Sequence, residues 1–371
     1  MEVHRQFEIG PIRPPSEADS LLLRITRNCP WNKCKFCTLY RNHQFSVRSV
    51  EDIKADIDQV AQYRRDIIDG IPENLYELPD EMAQRYMHIM HWMSRGEESV
   101  FLQDANTVVL TFDKLREILV HLRKTLPNIK RVTTYGRVDS LDKFTAGQLK
   151  ELKEAGLGRI HSGYESGSDE VLALISKGYT KAQEIEAGQK IKASGIELSI
   201  YFMPGIGGKT LSDSNAIETA DVVNKVNPDF VRIRTFVSQR GTEIYDEINL
   251  GLITECTDKE KMLELKKMIE HIDRADGVLI SDHIINLFDD VSGNMSSDKS
   301  KMLSVFEAFE SLRYEDQRKY QLARRMGMVR SLRNMSLLTK DQLNTVNSYL
   351  EKLDTTETFE AFLSKLLRRY V

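Results

Sequence analysis

Six short runs of β-branched and aromatic residues alternate with segments of helical period, and this alternation restricts the fold more than any other feature of the chain. Strands joined through helices pair in parallel, so the pattern predicts an α/β fold on a parallel sheet. The runs cover residues 21–26, 100–103, 131–135, 159–164, 197–203 and 230–236. Between them Val50, Ile53, Ile57 and Val60 recur at spacings of three and four, as do Leu115, Ile118, Leu119 and Leu122. Each set gives a helix one apolar face. Gly156, Gly158, Gly195 and Asn227-Pro228 punctuate the loops before the later strands.

Two regions stand outside this repeat. Residues 64–99 are too many for a βα loop and carry Met82, Tyr86, Met87, Met90, Trp92 and Met93, a stripe that suits a lid or plain core. Residues 241–371 are nearly all helical in pattern, with Met262, Leu265, Met268, Ile269 and Ile272 on one face and Leu343, Val346, Leu350 and Leu353 on another. No Pro/Gly/Ser linker precedes them, so they read as a helical extension of the sheet domain. The plan is an N-terminal segment 1–20, an α/β domain 21–240 with the insertion 64–99, and the extension 241–371.

Apolar content of 41%, charged content of 29% and a mean hydropathy of -0.40 exclude the disordered and membrane classes. No apolar run nears the ~20 residues of a membrane span, and residues 1–10 lack the apolar stretch of a signal peptide, which predicts a cytoplasmic protein. A net charge of -4 leaves no overall footprint for nucleic acid. Residues 324–333 and 365–369 are locally basic, as a solvated helix face would be.

Three of the four cysteines, Cys29, Cys34 and Cys37, fall on the loop after the first strand. Active sites of α/β barrels and sheets gather at that end of the strands. Clustered thiols read as metal ligation or redox chemistry rather than a disulfide framework. Three ligands leave zinc one short, to be completed by a residue such as His43, while a 4Fe-4S cluster would keep one iron open. Unligated thiols are the third reading.

Several separated motifs resemble the radical S-adenosylmethionine (SAM) superfamily. An aromatic residue, Phe36, precedes the third cysteine, as in that family, although the spacing here is four then two rather than three then two. The fourth unit, Gly158-Arg159-Ile160-His161-Ser162-Gly163-Tyr164-Glu165-Ser166-Gly167-Ser168, followed by Ser176-Lys177-Gly178-Tyr179-Thr180, resembles the subgroup of oxygen-independent coproporphyrinogen dehydrogenase and the tRNA methylthiotransferases.

The resemblance implies a partial (βα)6 TIM-like barrel with Cys29, Cys34 and Cys37 holding a 4Fe-4S cluster. It places Asp104 and Asn106 near the amino group of S-adenosyl-L-methionine, Glu165 and Ser166 at the ribose, Lys177 at the carboxylate and Gly205 beside the adenine. Glu165 and Lys177, twelve residues apart, would then reach opposite ends of the cofactor. Arg137 and Arg232 or Arg234 would face it from strand ends, or face solvent. Ser166 or Ser168 would equally cap a helix. Asp282-His283, in the helical extension, could move a proton, bind substrate or form a structural pair.

The activity implied is reductive cleavage of SAM to a 5'-deoxyadenosyl radical that abstracts hydrogen, in an oxygen-sensitive enzyme fed by an electron donor such as flavodoxin or ferredoxin. Only Cys256 lies outside the cluster motif, so no second cluster is expected and a small-molecule substrate is preferred to nucleic acid. The alternatives are a non-catalytic zinc or iron-sulfur scaffold and, within the superfamily, a methyl or alkyl transferase or a tRNA-modifying enzyme.

Overall fold

Each of the six runs forms a strand in the computed structural model, which describes residues 7–70, 78–353 and 355–370. In chain order the strands are β1 (Leu21–Arg24), β2 (Thr26–Arg27), β3 (Ser46–Val47), β4 (Ser99–Gln103), β5 (Arg131–Tyr135), β6 (Leu157–Glu165), β7 (Glu197–Phe202), β8 (Phe230–Ile233), β9 (Val278–Ile280) and β10 (Gly293–Asn294). The chain divides into two compact units. The first holds residues 7–32, 40–70, 78–162 and 190–198, the second residues 33–39, 163–189, 199–353 and 355–370.

In the first unit β1, β4, β5 and the start of β6 pair in parallel, with Leu22 opposite Phe101, Phe101 opposite Thr133 and Thr134 opposite Ile160. Helices Val50–Asp69 and Phe112–Thr125 pack on each other, and the residues of both predicted apolar faces are buried. Leu115, Ile118, Leu119 and Leu122 are wholly buried, and each such side chain contributes about 1.5–3 kcal/mol by leaving water. Ser49 starts the first of these helices by accepting the Asp52 amide at 3.0 Å. The Met and aromatic stripe falls on the helix Asp80–Ser94, where Tyr86, Ile89 and Trp92 are buried and Tyr63 meets Tyr86 edge to face at 4.6 Å. The two aromatic residues of the stripe are core, while Met82, Met90 and Met93 are half-buried and Met87 is exposed; residues 71–77 of the expected insertion lie outside the described residues.

In the second unit β7, β8 and β9 are parallel and β10 returns antiparallel to β9. Residues 241–371 therefore do more than add helices. Three residues, Val278 to Ile280, are too few for periodicity to reveal, yet they continue the parallel order beside β8. The helices expected there do form, Asp258–His271 packing on Gly208–Val226 and starting at a capping box of Thr257 and Glu260.

The basic run 324–333 is only partly a solvated face: Arg330 and Arg333 are exposed, Arg324 and Arg325 are not. Arg324 and Arg325 are buried, Arg324 paired with Asp289 and Arg325 bidentate on Asp258, because each guanidinium also caps carbonyls of the segment 283–286. No helix among the described residues is long and apolar enough to cross a membrane.

Candidate active site

In the first unit β1 leads directly into the cysteine loop, and Asp104 organises it. This fully buried carboxylate, just past β4, accepts Arg24 Nη2 at 2.7 Å, the Asn28 amide at 3.2 Å and Tyr40 Oη at 2.5 Å. Asn28 precedes the first cysteine and Tyr40 follows the third, so one carboxylate ties both ends of the loop. Burial, then the bond to Asp104, pushes the Tyr40 phenol far above its ordinary value and keeps it a donor. Asn28 and Asn32 take positive φ (67° and 48°), the left-handed turn that asparagine tolerates best after glycine. Cys29 Sγ accepts the Asn32 amide at 3.4 Å.

Trp31 lies under the Arg137 guanidinium, 5.2 Å from ring centroid to Cζ, and Arg137 Nε donates to Asp139 at 3.0 Å. Asn106 is buried: its Oδ1 accepts the Arg137 amide and its Nδ2 donates to Ser140. Asp104 and Asn106 thus order the loop and the Arg137 turn with their side chains.

In the second unit residues 33–39 dock on the helical side. The Lys35 amide donates to Ile175 O at 3.0 Å, Ile244 N donates to Lys35 O, and Lys35 Nζ pairs with Glu247 at 2.5 Å. Phe36 packs on Val171, Ile175, Ile206, Phe236 and Ile244. Cys34 and Cys37 close one turn, Cys37 N to Cys34 O at 3.2 Å. Lys177 stands 5.7 Å from the Phe36 ring centroid and 5.8 Å from that of Tyr179.

Lys177 Nζ donates to Glu165 Oε1 at 3.0 Å, with both side chains buried. Rather than reaching apart, these two residues hold each other. Gly163 makes the pair possible, because a Cβ there would lie 2.3 Å from Glu165 Oε1. Next to them Glu184 is fully buried with neither carboxyl oxygen hydrogen-bonded, and burial holds its proton well above the usual carboxylate range while Lys177 works against that. Neither serine caps the following helix: Ser166 Oγ accepts the Ser168 amide, and Ser168 Oγ bonds Ser214.

The Gly205 amide donates to a carboxylate, Glu264 Oε1, at 2.8 Å. Asn215 and Ser212 also donate to Glu264, both at 2.6 Å. Burial outweighs these bonds and lifts the Glu264 carboxyl to about 7 from an ordinary 4.5. A carboxyl whose folded value is raised stabilises the fold fully below its unfolded value and loses that contribution as pH rises through the folded one. Between pH 4.5 and 8 the wild type is therefore expected to lose about 1–3 kcal/mol more unfolding free energy than Glu264→Gln. Anaerobic denaturant titrations across that range measure the difference, and parallel curves would refute the assignment.

At the ends of β8 and β9, Arg232 donates to Ser199 Oγ and Arg232 and Arg234 both reach Asp282. Asp282 and His283 thus lie on a loop after a strand and not in a helix. Cys256 is buried, which pushes its thiol up to about 12. None of the four cysteines is in a disulfide, and among the described residues no three His, Cys, Asp or Glu side chains, His43 included, are gathered to hold a metal ion. Tyr40, Glu184 and Glu264 were not singled out by sequence reasoning. Only Tyr40 left a signal, an aromatic residue three positions past Cys37.

The chain resembles several curated proteins in part. A tRNA uridine(34) acetyltransferase of Methanocaldococcus infernus is 28% identical over 30% of this chain and 21% of its own length. An uncharacterized methyltransferase of Pyrococcus horikoshii is 25% identical over 61% of this chain and 41% of its own. A tRNA-2-methylthio-N(6)-dimethylallyladenosine synthase of Alteromonas mediterranea is 25% identical over 69% of this chain and 48% of its own. The chain spans less than half the length of each. Residues 23–220, more than half of the chain, match the radical SAM superfamily, whose members use a 4Fe-4S cluster and SAM, and the protein belongs to that superfamily.

Proposed function

We propose that Cys29, Cys34 and Cys37 hold the 4Fe-4S cluster and that the enzyme acts on a small molecule. The observation that carries this reading is the second unit's own arrangement, in which Phe36, between Cys34 and Cys37, lies against Lys177 and Lys177 against Glu165. The donor set suits a cluster: three partly exposed thiols, none in a disulfide, on a loop anchored at both ends, with the fourth cysteine buried and held protonated. Bound there, the cluster and SAM supply a 5'-deoxyadenosyl radical able to take hydrogen from a C–H bond.

The chain's residues bind and orient. Lys177 neutralises the methionyl carboxylate in place of Glu165, one carboxylate for another, and Glu165 accepts from the ribose hydroxyls in place of the ammonium. Ser166 and Gly205 border the adenosine, Arg137 and Trp31 cover the loop, and Arg232 lies on the substrate side. A one-electron donor of the flavodoxin or ferredoxin class feeds the enzyme in a reducing cytoplasm, where the three thiols stay reduced.

The rival substrate is tRNA, as the names of two relatives suggest. Against it stands the interior burial of Arg324 and Arg325, which takes two of the four basic residues of 324–333 from the surface. The reduced holoprotein is to be incubated with SAM and either the low-molecular-weight fraction of a cell extract or total tRNA. SAM-dependent loss of a metabolite with an unchanged nucleoside profile is expected; a new modified nucleoside would overturn the small-molecule reading.

A further inference from the structure

The ends of the parallel strands β7, β8 and β9 carry a charge arrangement that the cofactor roles above do not use. Arg232, on β8, and Arg234, just past it, converge on one carboxylate. Arg234 Nη1 lies 3.1 Å from Asp282 Oδ1 and Arg232 Nη1 3.4 Å from Asp282 Oδ2. The two guanidiniums are largely buried, their side chains 3% and 14% exposed, whereas Asp282 is 37% exposed.

Two guanidiniums converge there on one partly exposed carboxylate, which places positive charge beside it. Beside Asp282, His283 adds none at neutral pH, because burial first and Arg234 second lower its imidazole to about 4. Behind it Arg324 is already closed on Asp289. Arg234 is also incompletely bonded. Its Nη1 donates to Ile233 O and Asp282, its face lies 5.4 Å from the Tyr201 ring centroid, but its Nη2 is buried with no acceptor. A buried donor without a partner is costly, and an incoming acceptor recovers that cost.

The location suits a ligand, since sites in α/β folds gather at the carboxyl ends of parallel strands. Met203 N bonds Glu165 O and Arg234 N bonds Phe202 O, both at 2.9 Å, so Arg234 lies two strand spacings, roughly 10 Å, from the Glu165–Lys177 pair. We propose that Arg232 and Arg234, gated by Asp282, form a subsite for an anionic group of the substrate, a carboxylate or a phosphate. This rests on the radical SAM reading and names the substrate's chemical class. Asp282 holds the guanidiniums in place when no substrate is present and is displaced or shared when the anion enters.

Calorimetric titration of the anaerobic, cluster-loaded protein with succinate and with inorganic phosphate, SAM being present, tests the proposal. Asp282→Asn removes the competing carboxylate and should tighten anion binding about tenfold, whereas Arg234→Gln should weaken it about tenfold. SAM affinity, read from the electron paramagnetic resonance of the reduced cluster, should stay within about twofold in both. Opposite signs in the two variants are not produced by a residue that only braces the fold. If Arg234→Gln loses its cluster absorbance, Arg234→Lys, which keeps the charge, and Asp282→Asn carry the test.

Binding of neither anion by the wild type, or unchanged affinity in both variants, would overturn the subsite. A parallel loss of SAM affinity in Arg234→Gln would assign the anion to SAM's own carboxylate and overturn the substrate assignment. Failure of the family reading would be seen separately, as absent SAM cleavage in the wild type.

Discussion

Replacing any one of Cys29, Cys34 or Cys37 by Ala is expected to abolish the cluster and with it all turnover, while Cys256→Ala keeps both. Anaerobic reconstitution should load about four irons per wild-type chain and close to none into the three loop variants, since two thiolates cannot retain a cluster that three must hold. Cys256 differs in kind: it is buried, with its thiol pushed up to about 12, and so offers no thiolate at neutral pH. Iron analysis and absorbance near 400 nm measure the outcome. Loss of the cluster in Cys256→Ala, or its retention in a loop variant, would show that the ligand set is different.

Lys177→Met is the second large effect. Both partners of the Lys177–Glu165 bond are buried, at 7% and 11% side-chain exposure, and removing one partner of such a pair costs about 3–5 kcal/mol by leaving the other charge alone. Glu184, buried beside the pair and held protonated, brings no charge that could replace the lost ammonium. Glu165→Gln should cost less, about 1–3 kcal/mol, because Gln still accepts a hydrogen bond from the ammonium. The double variant should be more stable than the sum of the single effects, as a coupled pair requires. Each single variant should also lower SAM affinity by roughly tenfold or more with the cluster spectrum intact. Anaerobic denaturant melts and SAM titrations measure both; strictly additive stabilities would show that the two side chains act independently.

The strand order was legible because each crossover helix carries its own apolar stripe and each strand its own β-branched run, signals local enough to survive without tertiary information. The run 230–236 was read as longer than β8, which ends at Ile233, yet residues 234 and 236 still bond Phe202 and Pro204 in strand fashion. β9 was missed because three residues carry no period, and with it went the position of Asp282 and His283. The burial of Arg324 and Arg325 was hidden for a different reason. Helical spacing alone does not say which side of the amphipathic helix Tyr314–Arg325 is turned inward, and a guanidinium that caps several carbonyls can be interior.

At the site, the residue types were visible but not their pairing. Glu165 and Lys177 stood out by their motif, while the bond between them depends on the missing Cβ of Gly163 and the positive φ of Glu165 (66°), neither of which one strand's sequence displays. Asp104 was picked out as a ligand contact, and its actual bonds run to Arg24, Asn28 and Tyr40, a convergence set by three distant segments. Glu264 left no trace at all, since a carboxylate on a predicted helix reads as surface until Gly205, Ser212 and Asn215 are seen around it.

The most direct test of the account is the product of SAM itself. Protein reconstituted with iron and sulfide, reduced by dithionite and held anaerobically with SAM, is expected to release 5'-deoxyadenosine and methionine in equal amounts, slowly without substrate and faster when the small-molecule fraction is added. The Cys34→Ala protein, treated identically, should release none. A fully iron-loaded wild-type sample that leaves SAM intact under reduction, with and without that fraction, would contradict the account.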